Sequence, residues 1–230
     1  MSDKPINIFS SHDPEAPLAT ELRRVYSNIR RHEEVRGHKS FLITSSTRGE
    51  GKSTITSNLA LSIAHFPKTK VLVIDADLRR PRMHRIFGLE ESPGLADCLA
   101  SGEDPIAVAK KTELANLDVI TAGTPCESPS QLLETEKLSE FFEKVNFYYD
   151  IVLVDSAPTL AVSDTLFLSA ETDAVLFVVL AGVTPSEIVE RAKQALEDAN
   201  ANLAGVVVNN MSQVLPFYYD YRYYGVYGKE

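Results

Sequence analysis

The residues best suited to chemistry stand in a glycine-rich stretch, 45–54, with the sequence Ser-Ser-Thr-Arg-Gly-Glu-Gly-Lys-Ser-Thr. An apolar run, 41–44, precedes it and a helix-like segment, 55–64, follows it. A glycine loop between a strand and a helix binds phosphates, because backbone N–H groups and the positive end of the helix dipole point at the same space. Lys52 is expected to reach the phosphates of a nucleoside triphosphate and neutralise their charge, and the Ser53 hydroxyl to bind Mg²⁺. We therefore predict a site for ATP and Mg²⁺ formed by Thr47, Arg48, Gly49, Glu50, Gly51, Lys52, Ser53 and Thr54.

Three aspartates follow apolar runs of strand length. Asp75 and Asp77 come after the run 71–74, and at this spacing their side chains lie on the same side of an extended chain. Asp75 is predicted to bind Mg²⁺, directly or through water, and Asp77 to accept a proton from an attacking hydroxyl group. Asp155 ends the run 151–154 and is predicted to be the further Mg²⁺ partner of a phosphate-loop enzyme. Taken singly, Asp75 or Asp77 could equally be a turn or helix-capping residue.

The last apolar run, 206–208, ends in Asn209 and Asn210. A carboxamide offers both a donor and an acceptor, so Asn209 is predicted to contact the nucleotide by pairing with an adenine edge. Asparagine also favours turns, and the sequence alone leaves both interpretations open.

The C-terminal segment holds six tyrosines in the ten residues 218–227. It could be an aromatic patch packed on the domain or a partner, a stacking surface for nucleic acid, or a set of phosphate acceptors. Stacking on nucleic acid needs basic residues between the aromatic ones, yet only Arg222 lies among them and the chain carries a net charge of −9. We therefore predict no nucleic-acid partner. The absence of helical or strand periodicity favours a mobile segment that enters an active site and presents Tyr218, Tyr219, Tyr221, Tyr223, Tyr224 and Tyr227 as phosphoacceptors.

Basic residues are unevenly distributed in this acidic chain. The group before the first predicted strand consists of Arg23, Arg24, Arg30, Arg31, Arg36 and Lys39. The group after the second predicted strand consists of Arg79, Arg80, Arg82 and Arg85. Each group is either a solvated face or a contact with an acidic partner or a neighbouring subunit.

Length and composition fit one α/β domain, since the chain has 230 residues of which 44% are hydrophobic and 24% charged. Cys98 and Cys126 lack metal or redox spacing, which favours a reducing compartment. Residues 1–5 are polar, unlike a signal peptide, and the apolar run 174–182 is too short to span a membrane. We expect a cytoplasmic protein that reaches the inner face of the membrane only through a partner.

Short continuous apolar runs, typical of parallel strands covered on both faces, recur at 41–44, 71–74, 151–154, 174–180 and 205–208, with a sixth candidate at 117–120. Helical patterns lie between them, including 131–145 and 186–200. This alternation predicts an α/β fold with a doubly wound, mostly parallel sheet and a ligand site at the carboxyl ends of the strands. We predict a loose, flexible lead-in over 1–19, one domain over 20–211 and a mobile tail over 212–230.

Four features, taken in order, resemble the bacterial tyrosine kinases of capsule and exopolysaccharide systems. They are Gly-Glu-Gly-Lys-Ser-Thr at 49–54, Asp-x-Asp-x-Arg at 75–79, Asp-x-x-Pro at 155–158, and the tyrosine cluster. The resemblance implies a P-loop autokinase of the deviant-Walker, partitioning-ATPase-like type that phosphorylates its tail tyrosines, usually those of the neighbouring subunit in a ring. It also implies a membrane polysaccharide co-polymerase that activates the kinase, and a cognate tyrosine phosphatase.

The chain departs from this family in its first helix. The family often carries Glu-x-x-Arg-x-x-Arg there, where it packs against the next subunit. Glu21 and Arg24 match the first two positions, but Ser27 occupies the third. Ring formation is therefore expected to be weaker or different.

Two other functions stay open on the sequence. Partitioning and septum-positioning ATPases resemble this chain but carry an additional lysine where Thr47 stands, and they have no need for a tyrosine-rich tail. A non-catalytic, nucleotide-gated scaffold for polysaccharide assembly would keep Lys52 and Ser53 but would not need Asp77.

Overall fold

A computed structural model describes residues 8–11, 13 and 16–211. Its strands are β1 (Ser40–Ser45), β2 (Val71–Asp75), β3 (Lys110–Lys111), β4 (Leu117–Ile120), β5 (Ile151–Asp155), β6 (Ala174–Leu180) and β7 (Leu203–Asn209). Its helices are α1 (Ile8–Ser11), α2 (Pro17–Arg36), α3 (Lys52–Ala64), α4 (Met83–Phe87), α5 (Leu95–Ser101), α6 (Pro105–Val108), α7 (Pro129–Leu133), α8 (Glu136–Tyr148), α9 (Asp164–Glu171) and α10 (Ser186–Asp198). The strands form one sheet in the order β3-β4-β2-β5-β1-β6-β7; β3 runs antiparallel to β4, and the other neighbours are parallel.

The sheet separates two hydrophobic cores because its central strands are buried along their whole length. Every residue of β1, β2 and β5 is buried. Side chains alternate between the faces of a strand, so Leu42 and Leu72 lie in one core and Phe41 and Val71 in the other. Helices α5, α8 and α10 pack on the first core, and α2 and α3 on the second. This arrangement confirms the predicted doubly wound α/β fold, and β4 confirms the sixth predicted strand.

β7 differs from the prediction of a strand covered on both faces. It is the last strand of the sheet and pairs with β6. Val206 and Val208 are 61% and 50% exposed, whereas Val207 between them packs on the second core. The apolar content of a strand does not reveal whether a helix covers each face, so the sequence could not distinguish this edge strand from a central one.

The helix predicted over 131–145 is two helices. α7 ends at Leu133 and α8 begins at Glu136, with Thr135 in an extended conformation between them. The apolar spacing continues through both helices and therefore hides the break. α1 and the start of α2 lie within the stretch predicted as a loose lead-in, and Ile8 is buried against the second core.

The boundaries of the three predicted segments stay predictions. The tyrosine-rich tail, 212–230, lies outside the described residues. Within the part that the structure describes, no helix is both long enough and apolar enough to cross a membrane.

Candidate functional site

The phosphate loop, residues 46–51, connects the end of β1 to Lys52, the first residue of α3. Gly49 and Gly51 have φ angles of 83° and 97°, a backbone conformation that residues with a Cβ adopt only with strain. At Gly51 an added Cβ would also overlap the Nδ2 atom of Asn209. The path of the loop therefore requires both glycines, and it leads directly into a helix N-terminus, where free N–H groups favour phosphate.

Glu50 holds the phosphate loop in shape from within the protein. Its side chain is buried, and Oε2 accepts a hydrogen bond of 2.9 Å from the backbone N–H of Ser46. Oε1 accepts from the hydroxyl of Thr47 at 3.1 Å and from the hydroxyl of Thr184, in the segment after β6. The sequence placed Glu50 in the nucleotide site but did not identify this role or its partner Thr184, which is 134 residues away along the chain.

The first turn of α3 contacts the end of β5. The Ser53 hydroxyl donates a hydrogen bond of 2.6 Å to Oδ2 of Asp155. Lys52 is only 8% exposed; burial lowers the pKa of its ammonium group, and the charges of Asp155 and Asp77 oppose that shift. The structure thus brings together the predicted lysine, hydroxyl and carboxylate from segments that are about a hundred residues apart.

Two buried carboxylates lie side by side where β2 and β5 end, because Asp75 and Asp155 are partners in the strand register. Oδ2 of Asp75 accepts hydrogen bonds of 2.8 Å from the backbone N–H groups of Arg82 and Met83. Burial, and next the charge of Asp155, raise the pKa of Asp75 well above its ordinary value. Burial raises the pKa of Asp155 to about 7, against the opposing effects of the Ser53 hydrogen bond and the Lys52 charge.

This pair fits a divalent cation. Oδ1 of Asp75 is buried without a hydrogen-bond partner among the described residues, and two adjacent carboxylates share a site more readily once a cation neutralises them. In the same part of the chain no group of three or more His, Cys, Asp or Glu side chains could hold a metal. The two carboxylates of Asp75 and Asp155 suit Mg²⁺, which in phosphate-transfer sites takes one or two carboxylates and completes its shell with water and substrate phosphates.

A cleft of about 210 Å³ opens beside the phosphate loop, lined in part by Lys52, Ser53 and Asp77. Asp77 is partly exposed, and its Oδ1 accepts a hydrogen bond of 3.1 Å from the backbone N–H of Arg80. The turn role that the sequence left open for Asp77 is therefore present, and the same carboxylate also faces the cleft. Asp75 and Asp155 are buried and are not among the residues that line this cleft.

Arg79 has a structural partner that the sequence did not identify. Its Nε and Nη2 atoms donate to the two carboxylate oxygens of Asp164 at 2.8 and 3.2 Å. Nη2 also donates to the hydroxyl of Ser130 at 2.8 Å. Asp164 is buried, whereas the Arg79 side chain is 38% exposed. This ion pair fixes the segment after β2, which carries Asp77, against the start of α9.

Asn209 lies at the end of β7 and contacts the phosphate loop. Its Nδ2 donates a hydrogen bond of 3.0 Å to the carbonyl oxygen of Glu50, and its Oδ1 accepts one of 2.9 Å from the N–H of Asn210. Both polar groups of the carboxamide are thus used within the protein, and the predicted contact with an adenine edge stays a prediction. The contact shows that the last strand ends at the phosphate loop.

Comparison with known proteins places the chain in a family. Residues 37–222 match the model of the ParA family, described as NUBPL iron-transfer P-loop NTPase. The chain is 34% identical over 219 residues to the tyrosine-protein kinase YwqD of Bacillus subtilis (strain 168), covering 95% of this chain and 91% of YwqD. It is 35% identical over 180 residues to the tyrosine-protein kinase Etk of Escherichia coli (strain K12), covering 78% of this chain and 25% of Etk. The chain thus spans most of one kinase relative and about a quarter of another.

Solved structures agree with these relatives. The kinase domain of the E. coli tyrosine kinase ETK superposes with a TM-score of 0.84 at 31% identity, covering 91% of this chain and 82% of that one. The chimerical protein CapA2B2 superposes with a TM-score of 0.81 at 31% identity, covering 88% of each chain. The septum site-determining protein MinD of Pyrococcus horikoshii, solved with Mg-ADP, shares the fold with a TM-score of 0.65 at 20% identity, covering 76% of this chain and 71% of that one. This chain belongs to the bacterial tyrosine-protein kinases and has the ParA-type P-loop NTPase fold.

Proposed function

We propose that the chain is an ATP-dependent protein-tyrosine autokinase that phosphorylates its own C-terminal tyrosine cluster. One observation carries the proposal. The strand that leads into the tail, β7, ends at the phosphate loop, where Asn209 contacts Glu50, and the loop borders the cleft that holds Lys52 and Asp77. The last described residues before the tail therefore lie beside the groups proposed to act on it.

The proposed chemistry assigns a role to each side chain. A tail tyrosine attacks the terminal phosphorus of ATP, the bond to the leaving oxygen of ADP breaks, and the phenolic proton passes to Asp77. Tyrosine has an ordinary pKa of about 10, so a carboxylate base next to the hydroxyl assists at neutral pH. Lys52 neutralises negative charge on the transferring group, and positioning supplies most of the rate.

Ser53, Asp75 and Asp155 are the residues that would hold Mg²⁺. When bound, the ion neutralises phosphate charge. The raised pKa values of the two aspartates express how unfavourable two buried carboxylates are without a cation.

The length of the tail allows transfer within one chain or between chains. Tyr218 is seven residues beyond Met211, and Tyr227 sixteen. At about 3.5 Å per extended residue these stretches span up to roughly 25 and 55 Å. We propose transfer in trans, to a neighbouring subunit. Glu21 and Arg24 match two positions of the family's subunit-contact motif and support this proposal, whereas Ser27 departs from the third, so the contact between subunits is expected to be weaker or different.

The wider setting is part of the same proposal. We propose that a membrane polysaccharide co-polymerase activates the kinase at the inner face of the membrane, that a cognate tyrosine phosphatase resets the tail, and that the cycle regulates polymer assembly and export. The coverage of the relatives supports an activator of this kind, because the matching region is about a quarter of Etk but nearly all of YwqD. On this proposal the activator belongs to the same polypeptide as the kinase in some proteins and is a separate protein in others.

Mass spectrometry of the purified chain after incubation with Mg-ATP tests the proposal. Phosphate is expected on the tyrosines of 218–227 and is expected to be absent in Lys52→Met, since that change removes the charge beside the phosphates. Lys68→Met is the matched control, because Lys68 is exposed in the turn after α3. ATP hydrolysis without phosphotyrosine would instead favour a partitioning-type ATPase. An inactive chain is retested with a candidate activator segment, and continued inactivity would favour the scaffold.

Mixing two variants tests transfer between chains. One is Lys52→Met with an intact tail, and the other is an active chain whose six tail tyrosines are replaced by phenylalanine. Phosphate on the Lys52→Met chain establishes transfer in trans. Its absence, when the unaltered chain does phosphorylate itself, would restrict transfer to the same molecule.

A further inference from the structure

The cleft beside the phosphate loop is strongly basic, although the chain carries a net charge of −9. Four arginines line it: Arg48, Arg79, Arg80 and Arg82. Asp164 neutralises Arg79. Arg80 and Arg82 are exposed, and no carboxylate within the described residues lies at ion-pair distance from either guanidinium group.

The backbone of these two arginines is anchored to the proposed catalytic carboxylates. The N–H of Arg80 donates to the carbonyl oxygen and to Oδ1 of Asp77, at 3.0 and 3.1 Å. The N–H of Arg82 donates to the buried Oδ2 of Asp75 at 2.8 Å. Pro81 lies between them and restricts its own φ angle. Two unpaired guanidinium groups therefore project from a fixed segment next to the proposed base.

The triphosphate does not require these two side chains, because the backbone N–H groups of the phosphate loop and Lys52 already supply donors and charge for it. Arginine is the side chain best matched to a phosphate monoester, since its planar fork donates two parallel hydrogen bonds. A phosphotyrosine carries a charge of about −1.5 to −2 at neutral pH. One such group would balance the charges of Arg80 and Arg82 together.

Building on the proposed autokinase function, we propose that Arg80 and Arg82 form a binding site for a phosphotyrosine of the tail. The tail tyrosines are one to three residues apart, which is about 3.5–10 Å along an extended chain. Asp77 lines the same cleft as both arginines, so a phosphate held by them brings a neighbouring tyrosine into the cleft with Asp77. The bound phosphate undergoes no reaction there; it anchors the segment while the next hydroxyl reacts.

Binding of the first phosphotyrosine at this site determines how fast the later phosphates are added. An unmodified tail enters the cleft without the anchor, whereas a singly phosphorylated tail binds through it and is modified again faster. Chains are then expected to be either unmodified or multiply phosphorylated, with little of the singly phosphorylated form.

A binding experiment tests the site without catalysis. A fluorescent peptide of residues 214–230, with or without phosphate on Tyr223, is titrated with the full-length Lys52→Met chain in Mg-ADP. The phosphopeptide is expected to bind at least about tenfold more tightly, since it adds charge-assisted bidentate hydrogen bonds. Adding Arg80→Ala and Arg82→Ala is expected to abolish that difference, and adding Arg80→Lys and Arg82→Lys to reduce it.

Arg85→Ala is the matched control, because Arg85 is an exposed arginine three residues further on that is not among the residues lining the cleft. Equal affinity for the two peptides, or an unchanged preference in the double alanine variant, would overturn the proposal. So would tighter binding of the phosphopeptide when the titration is repeated without Mg-ADP, which would assign the arginines to the nucleotide.

Intact-mass spectra of the active chain over time test the consequence for catalysis. The double alanine variant is expected to slow the later phosphates more than the first, and therefore to accumulate the singly phosphorylated form. An equal slowing of the first and later phosphates would contradict the proposal. If the unaltered chain places no phosphate on tyrosine, the autokinase function fails, and the binding experiment still decides whether the arginines recognise phosphotyrosine.

Discussion

The buried carboxylate of Glu50 holds the phosphate loop in its conformation, and Glu50→Ala measures how much this contact contributes to stability. The change removes the acceptor for the N–H of Ser46, which is buried, and for the hydroxyls of Thr47 and Thr184. A buried donor left without a partner costs about 1–3 kcal/mol. The hydroxyl of Thr47 is exposed enough to bond water, and the loss of a buried charge offsets part of the penalty. We expect the free energy of unfolding to fall by about 1–3 kcal/mol.

The same change is expected to weaken nucleotide binding, because the loop must then be ordered when the phosphates bind. Fixing one residue costs about 1–2 kcal/mol, so the Kd for Mg-ADP is expected to rise by about five- to thirtyfold. Urea unfolding and calorimetric titration with Mg-ADP measure the two effects on the same preparation.

Two further variants test the charge of Glu50 and its contact with Thr184 separately. Glu50→Gln keeps the length of the side chain, its carbonyl still accepts from Ser46, and its NH₂ group can donate to a threonine hydroxyl; a loss of only about 1 kcal/mol is expected. Thr184→Val removes the hydroxyl that joins the loop to the segment after β6. An unfolding free energy and an Mg-ADP affinity that both stay unchanged in Glu50→Ala would refute the proposed role of the loop contacts.

Three other perturbations test separate parts of the molecule. The pKa values of both Asp75 and Asp155 are raised in the folded chain, so between about pH 4 and 7 the metal-free protein holds protons that the unfolded chain has released. Its free energy of unfolding is expected to fall with rising pH, by up to about 1.4 kcal/mol per pH unit for each proton held, and urea unfolding at pH 5 and 8 measures the fall. Asp155→Asn is expected to make that slope shallower. Arg79→Ala leaves buried Asp164 without its bidentate partner and is expected to lower the unfolding free energy by about 1–3 kcal/mol, whereas an unchanged urea midpoint would mean that solvent replaces the arginine. Phosphates on 218–227 add nearly two negative charges each to an acidic chain, so light scattering is expected to show a smaller oligomer after incubation with Mg-ATP, and equal masses would count against this repulsion.

The sequence alone determined the class of fold and most of the candidate site, because both depend on local patterns. Continuous apolar runs indicate buried parallel strands, and the carboxyl ends of such strands meet at one edge of the sheet. Knowing only that Lys52 follows one run and that Asp75 and Asp155 end two others was therefore enough to predict that they lie together. Their roles in transfer, and the role of the tyrosine tail, stay predictions.

Tertiary structure decided which groups hold that site in place. The contacts of Glu50 with Thr184 and of Arg79 with Asp164 join residues 134 and 85 positions apart, and no local spacing marks them as partners. The sequence likewise could not indicate that Arg79 is neutralised while Arg80 and Arg82 remain unpaired among the described residues. Hydrophobic periodicity specifies which face of an element is buried, but only the packed sheet determines which distant polar groups share that buried space, and there each one must find a partner or shift its pKa.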